Sequence, residues 1–117
     1  MAQPSQTTHF RNLNGTGQNV TAGTARVSHL TITNAISPAA TAFVQFFDLA
    51  AADVVLGTTR PILVVHVPAA AAAVNGTLDI DFGHTWLILT RLSVFGTTTA
   101  EGSTGTADGV FLQVTVE

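Results

Sequence analysis

Two aspartates on one predicted strand, followed by a histidine, are the residues of this sequence best suited to chemistry. Asp79 and Asp81 are two positions apart, and His84 follows three residues later. Residues two apart on a β-strand point to the same face about 7 Å apart, so both carboxylates could reach one hard cation such as calcium. The simpler interpretation is that the two carboxylates form the solvated side of an alternating strand and discourage wrong edge pairing. We favour this second interpretation, and we predict neither a metal nor a cofactor.

The other polar residues do not form a recognisable catalytic motif. His9, His29 and His66 are scattered, and no serine lies in a Gly-x-Ser-x-Gly turn. Nucleophilic catalysis needs a nucleophile, a base and an orienting group within reach of one another. The glycines between 96 and 109 follow neither phosphate-loop nor dinucleotide-binding spacing. We therefore expect a protein that is not an enzyme.

Composition narrows the class of protein further. The 117 residues suit one domain, 46% of them are apolar and only 9% are charged. Lysine and cysteine are absent and the net charge is −3, which argues against a nucleic-acid-binding stripe, a polybasic membrane patch and a disulfide framework. The N-terminus lacks an apolar leader segment, so we expect no signal peptide. A weakly charged surface resists self-association poorly and favours a protein that works within an assembly.

The clearest local pattern is a pair of strands in the stretch from Gly57 to Phe82. Ile62–Val67 and Thr77–Phe82 both alternate in polarity, and an alanine-rich connection joins them. The alternation predicts two half-buried antiparallel strands, which we interpret as a hairpin. It places Leu63, Val65 and Val67 on the apolar face of the first strand, and Leu78, Ile80 and Phe82 toward the core in the second.

Further strand signals recur along the chain, separated by turn residues and without a long helical period. They cover Arg26–Thr33, Ala42–Asp48, Trp86–Phe95 and Val110–Glu117. Alternation places Leu30 and Ile32 on one face of the first of these strands and Val27 on the other, and in the last strand it places Val110, Leu112, Val114 and Val116 inward. This spacing predicts an all-β fold, an antiparallel β-sandwich of the jelly-roll or Ig-like type. Ala50–Val55 fits either a helical turn or a wide hairpin loop, and Gly96–Gly109 is predicted to be a flexible loop.

The segment before these strands differs from them in composition. Residues 1–25 are rich in Gln, Thr, Asn and Gly, and Phe10 and Leu13 are among its few apolar anchors. We predict an extended N-terminal arm over residues 1–25 and a sandwich domain over 26–117. The arm is either a disordered terminus or a segment that gains order on a neighbouring subunit.

Two predicted strands are apolar on both faces. In a small sandwich only one face of a strand can be inside, so the second apolar face predicts contact with a partner. Phe43 and Phe47 on Ala42–Asp48, or Leu87 and Leu89 on Trp86–Phe95, are the candidate interface residues, with Phe10 and Leu13 of the arm.

The order of these segments resembles small β-sandwich virion proteins of tailed bacteriophages, such as capsid decoration (cement) proteins and minor head or tail proteins. The resemblance covers about residues 24–117 and is carried by V-S-H-L-T-I-T-N, F-V-Q-F-F-D-L, G-T-T-R-P-I-L-V-V-H-V-P, D-I-D-F-G and V-F-L-Q-V-T-V. It implies a homo-oligomer, a dimer or trimer, that binds the major capsid protein on the capsid exterior after synthesis in the host cytoplasm. The alternative is a receptor- or glycan-binding head-spike or tail module, with the 96–109 loop and Trp86 near the site.

Overall fold

The computed structural model describes residues 6–70, 76–106 and 108–116, which form two antiparallel sheets of four strands each. The strands are β1 (Gln6–Phe10), β2 (Gln18–Asn19), β3 (Ala25–Asn34), β4 (Ala42–Asp48), β5 (Leu63–Val67), β6 (Gly76–Ile88), β7 (Leu92–Thr97) and β8 (Val110–Val116). A 3₁₀-helical turn, Ala51–Asp53, follows β4 and settles the Ala50–Val55 segment as a helical turn. The antiparallel β-sandwich predicted from the strand spacing is confirmed.

The strand order is that of a long hairpin rolled up on itself. Sheet A has the order β1-β8-β3-β6, and sheet B has the order β2-β7-β4-β5. Each strand pairs with its counterpart counted from the other end of the chain: β1 with β8, β2 with β7, β3 with β6 and β4 with β5. This nested pairing is the topology of an eight-stranded jelly roll and excludes the Ig-like order.

The predicted hairpin between Ile62–Val67 and Thr77–Phe82 is wrong. β5 pairs with β4 in sheet B, whereas β6 pairs with β3 in sheet A. The two strands therefore lie in opposite sheets, and part of their connection, residues 71–75, lies outside the described residues. Their alternation was interpreted correctly: Val65 and Val67 are buried, and Leu78, Ile80 and Phe82 pack against the core.

The single strand predicted over Trp86–Phe95 is also wrong, because the chain crosses between sheets in its middle. β6 ends at Ile88 in sheet A, and β7 begins at Leu92 in sheet B. At the crossing, the Asp48 carboxylate accepts hydrogen bonds from three successive backbone N–H groups, those of Leu89 (2.9 Å), Thr90 (2.8 Å) and Arg91 (3.0 Å). These bonds replace the ladder partners that a continuous strand would need.

The core lies between the inner faces of the two sheets. Alternation predicted the inward residues of β8 correctly, since Val110, Leu112 and Val114 are buried. On β3 it placed Val27 outward, but Val27 is buried together with Leu30. The register against β8 shifts between Val27 and His29. This β-bulge adds one residue and turns both apolar side chains inward.

Part of the outer face of sheet B, on β4 and β7, is covered by the chain itself, whereas His66 on β5 is exposed. Phe47 packs edge-on against Phe95, with ring centroids 5.4 Å apart. The buried Gln45 amide donates to Thr97 Oγ1 (2.8 Å) and to the carbonyl of Gly102 (3.1 Å). The predicted 96–109 loop thus folds back over its own sheet.

The described part of the predicted arm belongs to the sandwich. β1 pairs along its length with β8, and Leu13 is fully buried. The Leu13 carbonyl accepts a bond from Thr106 Oγ1 (2.7 Å), and the Gly96 N–H donates to Asn14 (2.9 Å). A Cβ at Gly96 would lie 2.6 Å from the Leu13 carbonyl oxygen, so this close crossing requires glycine. From residue 6 onward the chain thus pairs and packs with the sandwich, and residues 1–5 of the predicted arm lie outside the described residues.

Candidate functional site

The residues predicted to form an interface fall into three groups. Leu13 and Phe47 are 0% and 1% exposed, so in the folded chain they offer no surface to a partner. Phe10 and Phe43 are half-buried, the first against the core and the second stacked on His66. A strand that is apolar on both faces can be covered by its own chain as well as by a partner, and on β4 the loop that follows β7 covers Gln45.

Leu87 and Leu89 remain exposed, at 41% and 68%, and we call them the Leu87–Leu89 patch. Leu89 is held at both ends of its backbone. Its N–H donates to Asp48 Oδ2 (2.9 Å), and its carbonyl accepts from Thr24 Oγ1 (2.8 Å). The most exposed large apolar side chain of the described residues therefore projects from a fixed turn.

Asp48 is the residue that fixes this turn. Burial acts to raise the pKa of its carboxyl, but the hydrogen bonds from the Leu89, Thr90 and Arg91 N–H groups outweigh it, and the net shift is downward. The carboxylate therefore stays ionised into the acidic range and keeps its three donors aligned. Sequence reasoning placed Asp48 at the end of a strand and could not identify the groups that it binds.

The outer face of sheet A carries rows of polar side chains, and we call it the polar face. Pairing aligns its side chains in rows that cross four strands. One row contains His9, Gln113, Thr31 and Asp79, and the next contains Thr7, Thr115, His29 and Asp81. Single-strand alternation predicted that β3, β6 and β8 present polar residues outward. It could not align the rows, because β1 was not predicted as a strand.

The Asp79 and Asp81 carboxylates bond to different groups. Asp79 Oδ1 accepts from Thr31 Oγ1 (2.5 Å) and lies 3.4 Å from His29 Nε2, whereas Asp81 Oδ1 accepts from the Gly83 N–H (2.9 Å). The Thr31 bond and then the His29 ring lower the pKa of Asp79. The His84 side chain lies outside the described residues. Within the described part of the chain, no three His, Asp or Glu side chains are grouped to hold a metal ion.

A cavity of about 590 Å³ opens on the polar face at its β1 edge. It has the size of a small-molecule site. Its lining combines a guanidinium, an imidazole, an amide and two hydroxyls with aromatic and aliphatic groups, and it includes no carboxylate. The lining residues are His9, Phe10, Arg11, Thr31, Thr33, Phe111, Leu112 and Gln113. Sequence reasoning missed this site because His9 and Arg11 were assigned to the arm.

Comparison with known proteins does not place the chain in a family. No protein-family model matches the sequence, and no curated protein matches it significantly. Among the described residues, no helix is long and apolar enough to cross a membrane. The assignment of function therefore rests on the residues and their geometry.

Proposed function

We propose that this protein is a non-enzymatic structural protein of a virion, a capsid decoration protein that self-associates and binds the outer surface of the major capsid lattice. The observation that carries the proposal is the Leu87–Leu89 patch, an exposed apolar surface on a turn held by Asp48 and Thr24. Jelly rolls recur in viral capsid proteins and in lectins. That likeness is an analogy of fold, and the exposed residues carry the argument.

The patch has the physical properties of an interface anchor. Burying an exposed leucine is worth about 1.5–3 kcal/mol when the burial is complete. Leu89 is 68% exposed in the single chain, so a partner can remove most of its side chain from water. Because the backbone is already fixed, association orders only side chains, which lowers its entropic cost.

The composition suits many weak contacts acting together. With 9% charged residues and no lysine, little electrostatic repulsion opposes the approach of a second copy. A protein that binds the assembled lattice and not its free subunits stabilises the shell by mass action. Association into dimers or trimers then multiplies the effect, since each oligomer holds several lattice sites at once.

The alternative, a glycan- or receptor-binding module, was predicted to use Trp86 and the 96–109 loop. Trp86 is half-buried, with its ring 5.7 Å from that of Phe46 and 4.8 Å from that of Phe82. The 96–109 loop packs on Gln45 through Gly102. Among the described residues, no ring contact or hydrogen bond joins Trp86 to this loop.

Self-association is tested by size-exclusion chromatography with light scattering at micromolar concentration. We expect a dimer or trimer for the native protein and a monomer for Leu89→Ser, with the same circular dichroism spectrum. Val55→Ser is the matched control, because Val55 is also apolar and 60% exposed but lies in the loop before β5. A monomeric native protein, or a Leu89→Ser variant that associates like the native one, would refute self-association through the patch.

Capsid binding is tested by sedimenting the purified protein with assembled shells of a tailed-phage capsid and, separately, with unassembled capsid subunits. We expect co-sedimentation with shells and no complex with free subunits. Binding to neither would reject the decoration role even if the protein self-associates.

A further inference from the structure

We propose that the cavity on the polar face binds an acidic saccharide, a sugar ring that carries a carboxylate. This site is separate from the Leu87–Leu89 patch, and the inference does not depend on capsid decoration. It rests on the groups that line the cavity, on which of them lack a partner, and on where the charges of the polar face lie.

The cavity is built on β8, with β1 and β3 on either side. Phe111 and Gln113 lie two residues apart on the outward face of β8, about 7 Å from each other. Thr33 pairs with Phe111 and Thr31 with Gln113 on β3, while His9 pairs with Gln113 on β1. Two strand spacings separate β1 from β3, about 10 Å, so the floor can accommodate a single sugar ring.

The polar groups of the cavity have unused hydrogen-bonding capacity. Thr31 gives its only hydroxyl proton to Asp79, so its oxygen can only accept a bond from a ligand. No hydrogen bond or ion pair to another described residue occupies the side chains of Gln113, Thr33 and Arg11. Amide and hydroxyl groups that both donate and accept suit the hydroxyls of a sugar.

The charged side chains around the cavity determine where the carboxylate of the ligand binds. Arg11 and His9 flank the cavity at the β1 edge, and among the described residues no carboxylate pairs with the Arg11 guanidinium. Asp79 and Asp81 lie on β6, at the opposite edge of the sheet. A ligand carboxylate is therefore directed to Arg11, where a planar guanidinium can hold it with two parallel bonds. The ring hydroxyls are directed toward Gln113 and Thr33.

The presence of the half-buried Phe111 in the cavity favours a saccharide over a simple anion as the ligand. Its ring lies in the cavity lining beside Gln113 and Leu112, where it can cover the C–H face of a sugar while the hydroxyls turn to the polar groups. A small carboxylate such as acetate would use Arg11 alone, and a neutral sugar would use Phe111 and Gln113 alone. The arrangement favours a ligand with both features.

The test is a titration of the ¹⁵N-labelled full chain with sodium glucuronate, followed by backbone amide shifts in NMR spectra. We expect saturable shifts of the Thr33, Phe111 and Gln113 amides. Glucose and acetate, titrated in the same way, should each bind at least about tenfold more weakly, because each lacks one of the two contacts. Shifts that do not saturate, or that lie away from these three amides, would overturn the proposal. Equal affinity for acetate would reduce the cavity to a plain anion site and would equally overturn it.

Two variants and a control identify the groups involved. Arg11→Gln should weaken glucuronate binding about tenfold and leave glucose unchanged, and Phe111→Leu should weaken both. Arg60→Gln is the matched control, because Arg60 is an exposed arginine in the loop before β5, which belongs to sheet B. Since Arg11 is exposed, its replacement should leave the rest of the NMR spectrum unchanged. Native-like glucuronate affinity in Arg11→Gln would refute the assignment, whatever the Phe111 variant does.

Discussion

Replacing Asp48 by asparagine tests whether one carboxylate holds the crossing between the two sheets. In the native chain Oδ1 accepts the N–H groups of Thr90 and Arg91, and Oδ2 accepts that of Leu89. Asparagine keeps one acceptor oxygen and puts an amide donor where the second was. The Leu89 N–H then faces another donor, and the other two bonds lose their charge assistance. Asp48→Asn should therefore lower the free energy of unfolding.

The size of the effect follows from the bonds that are lost. A hydrogen bond to a charged group contributes about 1.5–3 kcal/mol, against roughly 1 for a neutral one. Asp48 is half-buried, so water can partly replace what the substitution removes, and we expect a loss of about 2 kcal/mol. For a chain of this size that corresponds to a fall in Tm of roughly 6–12 °C. Urea unfolding at neutral pH, followed by circular dichroism, measures the difference directly.

The pH dependence of the free energy of unfolding gives a second test of the Asp48 hydrogen bonds. The pKa of Asp48 is lower in the folded protein than in the unfolded chain, where a carboxyl titrates near about 3.9. The stabilisation is therefore fully present above the unfolded pKa, and it is lost as the pH falls through the folded pKa. The stability gap between the native protein and Asp48→Asn should be constant from pH 7 to about 5 and should shrink below about 4.

Asp53→Asn is the matched control, because Asp53 is exposed in the 3₁₀-helical turn five residues away. It should change stability by less than about 0.5 kcal/mol. Two outcomes would show that the three hydrogen bonds do not hold the crossing. One is that Asp48→Asn lowers the free energy of unfolding at neutral pH no more than Asp53→Asn does. The other is that the stability difference between Asp48→Asn and the native protein does not shrink in acid.

Two further substitutions test how the N-terminal segment is integrated. Leu13→Ala should cost about 2–5 kcal/mol in urea unfolding, because Leu13 is fully buried; a cost below about 1 kcal/mol would mean that the segment packs loosely. Gly17→Ala should lower the free energy of unfolding by about 1–3 kcal/mol, since a Cβ there would overlap the Phe95 ring. Gly23→Ala is its control: the nearest atom to an added Cβ would be 4.0 Å away, so the same measurement should show almost no change.

The alternation of apolar and polar residues along single strands gave the most reliable predictions of this fold. It identified the inward faces of β5 and β8, because each strand has one face against the core and one toward solvent. It also gave the bounds of β4, Ala42–Asp48, without error. Such reasoning needs only the period of two along a strand, which is a local property of the sequence.

The incorrect strand predictions concern features that depend on residues far apart in the sequence. The turn after Ile88 depends on Asp48, some forty positions earlier in the chain, and the bulge at Ser28 depends on the register against β8. β1 has few apolar residues, and it forms because it pairs with β8 at the other end of the chain. A jelly roll joins strands from opposite ends, so its pairing partners cannot be deduced from neighbouring segments.

The way the chain covers its own sheets decides where recognition can occur. On sheet B, the outward Phe47 and Gln45 lie under the chain's own segments and cannot meet a partner without local unfolding. In the part of the chain that the structure describes, no segment packs over the polar rows of sheet A, and the cavity on this face opens to solvent. The Leu87–Leu89 patch lies at the crossing that leaves sheet A. Both proposed activities therefore fall on the part of the surface that the jelly roll leaves uncovered, and because they use different residues, Leu89→Ser and Arg11→Gln should separate them.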